Sequence, residues 1–429
     1  MPTIGLHQRI QGFFVATIVF SLCATPALGS VTVLVMLVAM LIAIPVAMSA
    51  YRTIATDAKR VVWMSLAAYF ISYFLIDAFF HGDLQNTFRS IAPSSPVLAA
   101  ATIAMALDPR SAMISHRKLG EWASFAVLVS GALAWLIVQM QPDWPILGRS
   151  VTDITGVNGR LSLFVGNPLP FAGAFLTLGF VSLLGWQERP WASKVMAGVA
   201  TILAILVVTF WSQSRGATLA AIPLLGLALW YLRPSRYVVI FAAAACVVVV
   251  AVGVGFGSSL HNLTTALSRL FRGIAVLVGE EPAMDSSTWQ RLVMYRAGIA
   301  AWWESPVFGY GISQRFSAAV PYFPPEFTGR YSHLHNTFIT HAVAGGVVGL
   351  VFLCAVIATP FAVNRATTRD PNAESTTHKR DSQYFAWLIF LSLVGIGMSG
   401  LILNQDVSAN FLGTLLVAHL MTQRSSGSS

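Results

Sequence analysis

The chain has 429 residues, of which 56% are hydrophobic and 10% are charged, and its formal net charge at pH 7 is +9. A soluble domain carries about 25% charged residues, so this composition excludes a soluble globular protein and indicates an integral membrane protein. The positive charge is divided between short loops and one long polar segment, which argues against a nucleic-acid-binding surface.

Apolar stretches long enough to cross a bilayer recur along the whole chain. We predict an all-α polytopic membrane protein with about twelve transmembrane helices, because the strict alternation of a transmembrane barrel is absent from the sequence. The fourth stretch is the shortest and contains two prolines. The predicted spans cover residues 10–27, 30–50, 61–80, 91–107, 120–140, 162–186, 192–210, 216–232, 236–256, 336–362, 383–403 and 407–422.

The basic residues predict the orientation, because short cytoplasmic loops collect lysine and arginine. With the N-terminus in the cytoplasm, most of the 26 basic residues, including every lysine, fall on the cytoplasmic side, and those on the outer side are all arginines. This orientation places a long polar loop, residues 257–335, outside the cytoplasm. It divides the chain into nine spans (1–256), the loop (257–335) and three further spans with a tail (336–429).

Two histidines, His333 and His335, close the long polar loop immediately before the next predicted span. Imidazole is the side chain whose ordinary pKa suits proton transfer near neutral pH. At a helix N-terminus the imidazole tends to be neutral and can accept a proton. Histidines at a membrane interface also often serve only to bond backbone groups at a helix end, but the outer arginines favour a role in chemistry.

Arginine binds phosphate through two hydrogen bonds and stays charged, so the outer arginines predict a phosphate site. Arg215 begins a predicted helix, where the free N–H groups and the positive helix end add to the guanidinium; a snorkelling arginine is the structural alternative. The sequence has no Asp-x-Asp pair, and its three cysteines lie within predicted spans. We therefore predict no metal and no disulfide framework, and a diphosphate that arginines stabilise.

Several short motifs follow one another along the chain: Ser214-Arg215-Gly216, Arg291 followed by Trp302-Trp303, Pro306 and Gly309-Tyr310-Gly311, and His335-Asn336. Taken in this order, they resemble the O-antigen ligase and polymerase superfamily. The resemblance is strongest over residues 155–345 and implies a glycosyltransferase C-like fold in the bacterial inner membrane, with an active site that faces the periplasm. It also implies an undecaprenyl-pyrophosphate-linked glycan as donor, without metal, nucleotide sugar or cofactor.

Within the superfamily the chain looks most like the O-antigen ligases, glycosyltransferases that attach O-antigen to the lipid A–core oligosaccharide. The resemblance implies that His335 is the general base for the acceptor hydroxyl, and that Arg215 and Arg291 hold the diphosphate as it leaves. Direct attack would invert the anomeric centre, because the sequence places no carboxylate as a covalent nucleophile. The implied partners are the lipid-linked donor, lipid A–core and membrane lipid, with no nucleic acid.

Further substrate-binding candidates follow from the same resemblance. Aromatic side chains near the outer surface could contact glycan or isoprenoid, although an ordinary aromatic belt is the alternative. The candidates are Arg160 as a third phosphate contact, Asn336 as a helix cap or base-orienting group, His333 as the second-ranked base, and Trp211, Tyr310 and Tyr322 as glycan contacts, with Arg269, Arg272 and Arg296 as lower-ranked phosphate contacts.

Three other activities compete with this hypothesis. A polymerase of the same superfamily uses the same donor, and its site would look similar. A transferase that modifies protein serine or threonine usually carries an additional soluble C-terminal portion, whereas this chain ends shortly after its last predicted span. A transporter or flippase usually has midplane ionisable residues and internal repeats, which this sequence does not show. The one such candidate, Asp77, lies near the outer end of its span, where we expect it to be solvated.

Overall fold

The structure, a computed structural model, describes a large part of the chain in several ranges. These residues form helices and connecting turns, with no strand among them. The predicted ninth span and Arg160 lie outside the described residues. The described ranges are 5–50, 57–81, 84–108, 113–140, 162–165, 167–212, 214–233, 287–327, 331, 333–367, 376–398 and 405–423.

The α-helices of the described residues follow the apolar stretches of the sequence, which confirms the all-α prediction. They are α1 (Leu6–Leu28), α2 (Ser30–Ala50), α3 (Asp57–His81), α4 (Leu84–Ile91), α5 (Ser95–Ala106), α6 (His116–Met140), α7 (Pro168–Val181), α8 (Trp191–Leu206), α9 (Arg215–Leu232), α10 (Ser287–Glu304), α11 (Thr337–Thr367), α12 (Thr376–Gly397) and α13 (Asp406–Thr422).

By length and composition, six helices of the described ranges can cross a membrane: α1, α2, α3, α6, α8 and α11. Helices α7 and α9 are apolar but shorter. A chain with this many apolar helices is a membrane protein. The total of twelve spans stays a prediction, as does the long outer loop, of which the first part lies outside the described residues.

Helix α11 differs from its prediction as one continuous span over residues 336–362. It is broken at Gly346, where φ is 57° and ψ is −151°, a backbone conformation that glycine adopts without steric cost. The segment after the break, residues 347–367, is about 30 Å long at 1.5 Å per residue, which matches the hydrocarbon core of a bilayer. Residues 337–345 therefore form a separate short helix, called the short segment below.

The loop that follows α10 makes backbone hydrogen bonds to both sides of this break. The backbone N–H of Tyr310 donates to the carbonyl of Val343, and that of Val347 donates to the carbonyl of Pro306, both at 2.8 Å. A side chain on Gly309, whose φ is 64°, would collide with the Val343 carbonyl. The loop thus satisfies backbone groups that the break removes from the helix ladder, as a buried membrane helix requires.

The short segment crosses one end of the helix bundle. At its start, the Asn336 amide lies 3.5 Å from the Met398 carbonyl at the end of α12. Further along, His341 Nε2 and Tyr69 Oη of α3 are 2.7 Å apart. We call this end of the bundle, where α3 and α12 finish and α7 and α9 begin, the site end. The other end, where α3, α6 and α12 begin, is the opposite end.

Small residues bring α7 and α9 close against α12 at the site end. A Cβ added to Gly395 would lie 2.5 Å from the Ala220 Cβ of α9, and one added to Gly173 of α7 would lie 2.8 Å from Ile396. Small residues allow this close approach between membrane helices. The N-terminal ends of α7 and α9 are therefore fixed beside the end of α12.

Candidate functional site

The turn that precedes the short segment is held from two sides. His335 has a φ of 51°, which is uncommon for a residue with a side chain and marks a constrained position. Its carbonyl accepts a hydrogen bond from Tyr295 Oη of α10 at 3.2 Å, and that hydroxyl also lies 3.3 Å from the Met398 carbonyl. Asn336 Oδ1 accepts from the Ile339 N–H at 3.1 Å, which confirms the predicted helix cap.

The two histidines lie together. Their ring centroids are 4.3 Å apart, and Tyr331 packs edge-on against His335 with centroids 5.2 Å apart. Tyr331 Oη donates to Gln290 Oε1 at 2.7 Å, which fixes this ring. Within the described part of the chain, the buried Nδ1 of His335 has no hydrogen-bond partner. Such an atom costs free energy unless a bound group pairs with it.

Both histidines are neutral at pH 7. Burial, and then the positive charge of Arg291, lower the pKa of His335 from 6.5 to about 4. Burial, His335, Arg315 and Arg291, in that order, lower the pKa of His333 to about 3. The sequence predicted a neutral base from the helix dipole, whereas the main cause here is burial, reinforced by arginine charge.

Arg291 stands on α10 one turn before Tyr295 and is half-buried. Over the described ranges, no carboxylate lies within ion-pair distance of its guanidinium. A positive charge that acts on two neutral imidazoles, and that no acid of the described ranges pairs with, favours an anion at this position. The structure therefore brings Arg291, His333, His335 and Asn336 together, and their roles stay predictions.

Arg215 is the first residue of α9, as predicted, at the site end. Its backbone is described there, beside the end of α12. The preceding Ser214 makes no side-chain cap, and its buried hydroxyl has no hydrogen-bond partner among the described residues. A helix N-terminus whose N–H groups lack a cap, next to an unpaired buried hydroxyl, offers donors to an anion.

The chain just before Arg215 is also unusual. Helix α8 ends in a π-helical turn, Val207–Trp211, a conformation frequent at functional sites. Ser212 Oγ then donates to the Pro168 carbonyl at the start of α7, at 3.1 Å. Trp211 is half-buried and packs on the apolar core, so its predicted contact with substrate stays a prediction.

Tyr310 and Tyr322 lie away from the histidines. Tyr322 hydrogen-bonds the Glu304 carboxylate, which raises the pKa of Tyr322 to about 12, and burial and Glu304 raise the pKa of Tyr310. Glu304 ends α10, about 20 Å along the helix from Arg291 at 1.5 Å per residue. These tyrosines are therefore separate from the histidine pair.

Sequence reasoning missed one arrangement at the site end. Asp77 is fully buried, and not solvated as expected; its carboxylate accepts hydrogen bonds from Thr87 and from Ser313. Arg315 follows two residues later, and its charge contributes to the low pKa of His333. The signals in the sequence were a carboxylate within an apolar span and a polar Ser-Gln-Arg turn, far apart in the chain.

Comparisons with known proteins agree with this geometry. A family model described as O-antigen ligase matches residues 199–354, which contain Arg215, Arg291, His333 and His335. The exopolysaccharide production protein ExoQ of Rhizobium meliloti is 28% identical over 232 residues, which cover 48% of this chain and 49% of that protein. The match thus spans about half the length of this curated relative. Both matches support a similarity of this chain to the O-antigen ligase and polymerase superfamily.

Proposed function

We propose that the chain is an O-antigen ligase, which transfers a glycan from undecaprenyl pyrophosphate to a sugar hydroxyl of the lipid A–core oligosaccharide. The observation that carries this proposal is the pair of half-buried, neutral histidines beside Arg291, whose guanidinium has no carboxylate within ion-pair distance among the described residues. Such a transfer needs a group that takes a proton from the acceptor hydroxyl and cations that stabilise the departing diphosphate.

His335 is the general base in this mechanism. It takes the hydroxyl proton as the acceptor oxygen attacks the anomeric carbon, and the bond from that carbon to the diphosphate oxygen breaks with inversion. Two observations support His335 over His333: its buried Nδ1, which has no hydrogen-bond partner among the described residues, and its constrained φ. His333 lies against it and is the second-ranked base.

Arginines and helix ends stabilise the leaving diphosphate. Arg291 supplies one charge at the histidines, and Arg215 supplies a second at the start of α9, where the Ser214 hydroxyl adds a donor. Arg160 is a third candidate from outside the described residues. Fixed donors of this kind stabilise charge that develops as a bond breaks, and the positive N-terminal end of α9 contributes in the same direction.

Donor binding strengthens the base. A bound diphosphate carries roughly two negative charges and offsets the arginine charge that lowers the pKa of His335. The pKa of His335 therefore rises when the donor is in place, and the imidazole becomes a stronger base only in the loaded site. Because the imidazole is the weaker base before the donor binds, it takes fewer protons from water in the unloaded site.

The placement of the site suits a lipid-linked donor at the outer face of the inner membrane. The short segment crosses the site end of the bundle, next to the end of α12. A donor whose isoprenoid lies in the membrane can present its diphosphate at this level. The similarity to an exopolysaccharide production protein favours one alternative, a polymerase that uses the same donor but joins repeat units.

The experiment is glycan transfer by the purified protein in lipid nanodiscs. The donor is an undecaprenyl-pyrophosphate glycan, the acceptor is lipid A–core, and EDTA is added in parallel reactions. We expect ladder-shifted lipopolysaccharide with wild type and with His7→Ala, an exposed histidine at the opposite end, but not with His335→Ala. Longer lipid-linked chains without ligated product would replace the ligase by the polymerase. Undiminished transfer by His335→Ala would move the base to His333.

A further inference from the structure

We propose that Arg315 is a third arginine of the donor-diphosphate site, and that Asp77 of α3 positions it through Ser313. The inference rests on the proposed function, because it takes the lipid diphosphate as the anion. Its own basis is the set of hydrogen bonds that places the loop after α10 between α3 and the short segment.

The two carboxylate oxygens of Asp77 accept hydrogen bonds from two different parts of the structure. Oδ2 accepts from Thr87 Oγ1 of α4 at 2.7 Å. Oδ1 accepts from both the backbone N–H of Ser313, at 3.0 Å, and its hydroxyl, at 2.9 Å. A fully buried carboxylate with three such bonds fixes the residues that donate to it. The Ser313 turn is therefore held rigidly at the end of α3.

A second clamp holds the same loop from the opposite side. The backbone N–H of Gly311 donates to the Ala344 carbonyl of the short segment at 2.8 Å. Residues 311–313 thus lie between α3 and the short segment, and Arg315 follows two residues later. Side chains on a backbone held at two points lose little freedom when they bind a ligand.

Arg315 and Arg291 act on the histidine pair from different elements. The charges of both arginines lower the pKa of His333, and Arg291 also lowers the pKa of His335. Burial lowers the pKa of Arg315, whereas Tyr69 and Asp77 favour its charged form. Two guanidinium groups beside neutral imidazoles suit an anion with two phosphates, one for each arginine.

The test measures binding of undecaprenyl pyrophosphate without glycan to the purified full chain. We expect Arg315→Gln to bind about tenfold more weakly than wild type, and Arg315→Lys to recover part of this loss. Arg89→Gln is the matched control, because Arg89 is an exposed arginine of α4 near the same end; it removes the same charge and should bind as wild type does.

The outcomes separate this inference from the proposed function. If wild type does not bind the lipid, both ideas are wrong. If wild type binds and Arg291→Gln weakens binding, but Arg315→Gln binds as wild type does, only the assignment of Arg315 is wrong. In transfer assays, the KM for donor should rise in Arg315→Gln while the KM for acceptor stays constant, a pattern that a merely unstable protein would not give.

A second pair of variants tests the positioning role of Asp77. Ser313→Ala and Thr87→Val each remove one hydrogen bond to this carboxylate, but only Ser313 connects it to Arg315. We expect Ser313→Ala to weaken lipid binding about threefold and Thr87→Val to leave it unchanged, with similar losses of thermal stability. Equal binding by both variants would show that Asp77 stabilises the fold without positioning Arg315.

Discussion

Arginine side chains at the two ends of the bundle have different partners. At the opposite end, Arg117 pairs with Glu121 at 2.9 Å, and Arg380 donates to the Tyr231 carbonyl. The buried Arg189 makes no ion pair among the described residues; burial lowers the pKa of its guanidinium, and the charges of Glu121 and Asp381 oppose this shift. At the site end, within the described ranges, Arg291 has no ion-pair partner. Arg117 is thus balanced by a carboxylate of the chain itself, whereas the charge of Arg291 supports the proposed anion site.

The histidine pair extends this comparison. A neutral imidazole can accept a proton from a hydroxyl, while an arginine without an ion-pair partner among the described residues can bind an anion. A protonated histidine would add to the positive charge, so burial and arginine together keep the imidazoles neutral. An incoming diphosphate offsets that charge and raises the pKa of the base. In the proposed mechanism the site end binds an anion and a hydroxyl together, so substitutions there should have the larger effects on transfer.

The largest effect is expected for His335→Asn. Asparagine adopts positive φ more readily than alanine, so this variant preserves the turn but removes the base. We expect kcat for transfer to fall about 1,000-fold, within the range for loss of a general base, with an unchanged unfolding temperature. His335→Ala should lose the same activity and also about 1 kcal/mol of stability through backbone strain. A His335→Asn variant that keeps more than a tenth of the wild-type kcat would contradict the assignment.

Arg291→Gln should have the next largest effect, about 100-fold in kcat/KM for donor, typical of a lost transition-state contact. Its pH profile gives a second test. Burial, and then the charge of Arg291, lower the pKa of His335 to about 4, so removal of Arg291 raises that pKa by the smaller, electrostatic part of the shift. Because the base form is lost as pH falls through this pKa, activity should disappear at a higher pH in the variant. An acid limb at the wild-type position would show that Arg291 does not act on the base.

Asn336→Ala should reduce transfer about tenfold, because a displaced base misses the acceptor hydroxyl. It removes the cap bond to Ile339 and the amide contact to Met398, and loss of a cap costs about 1 kcal/mol. Asn336→Ser keeps a capping oxygen but cannot reach Met398. In Asn336→Ser, full recovery of the unfolding temperature with only partial recovery of the transfer rate would separate the cap bond from the contact to Met398. Equal defects in Asn336→Ala and Asn336→Ser would contradict the capping role.

Much of this arrangement could be predicted from the sequence, because its causes are local. Apolar length predicted the helices, and the start of α9 at Arg215 and the cap at Asn336 follow from residues within one helical turn. The break at Gly346 could not be predicted in this way. Hydropathy reports how apolar a stretch is, whereas the break depends on a loop about 40 residues earlier whose Pro306 and Tyr310 supply its hydrogen bonds.

The buried hydrogen bonds of Asp77 could not be predicted from the sequence for a related reason. Its partner Ser313 lies 236 residues away in sequence, and one sequence alone does not reveal such a pair. An acid near the end of a span therefore suggested solvation, while the fold buries it. The chemistry of the site could be anticipated from residue types, but the contacts that position Arg315 required the tertiary structure.

The smallest effect is expected at the opposite end, for Glu121→Gln. This change removes the partner of Arg117, whose side chain is 43% exposed against 31% for Glu121. Exposed pairs of this kind contribute about 0.2–1 kcal/mol, so the unfolding temperature should fall slightly and transfer should stay within about twofold of wild type. Like Arg291→Gln, this variant removes a charged group, but Glu121 already pairs with Arg117 within the chain. A tenfold loss of transfer in Glu121→Gln, at full occupancy of donor, would mean that the opposite end also takes part in the reaction, and unbalanced charge would no longer distinguish the two ends.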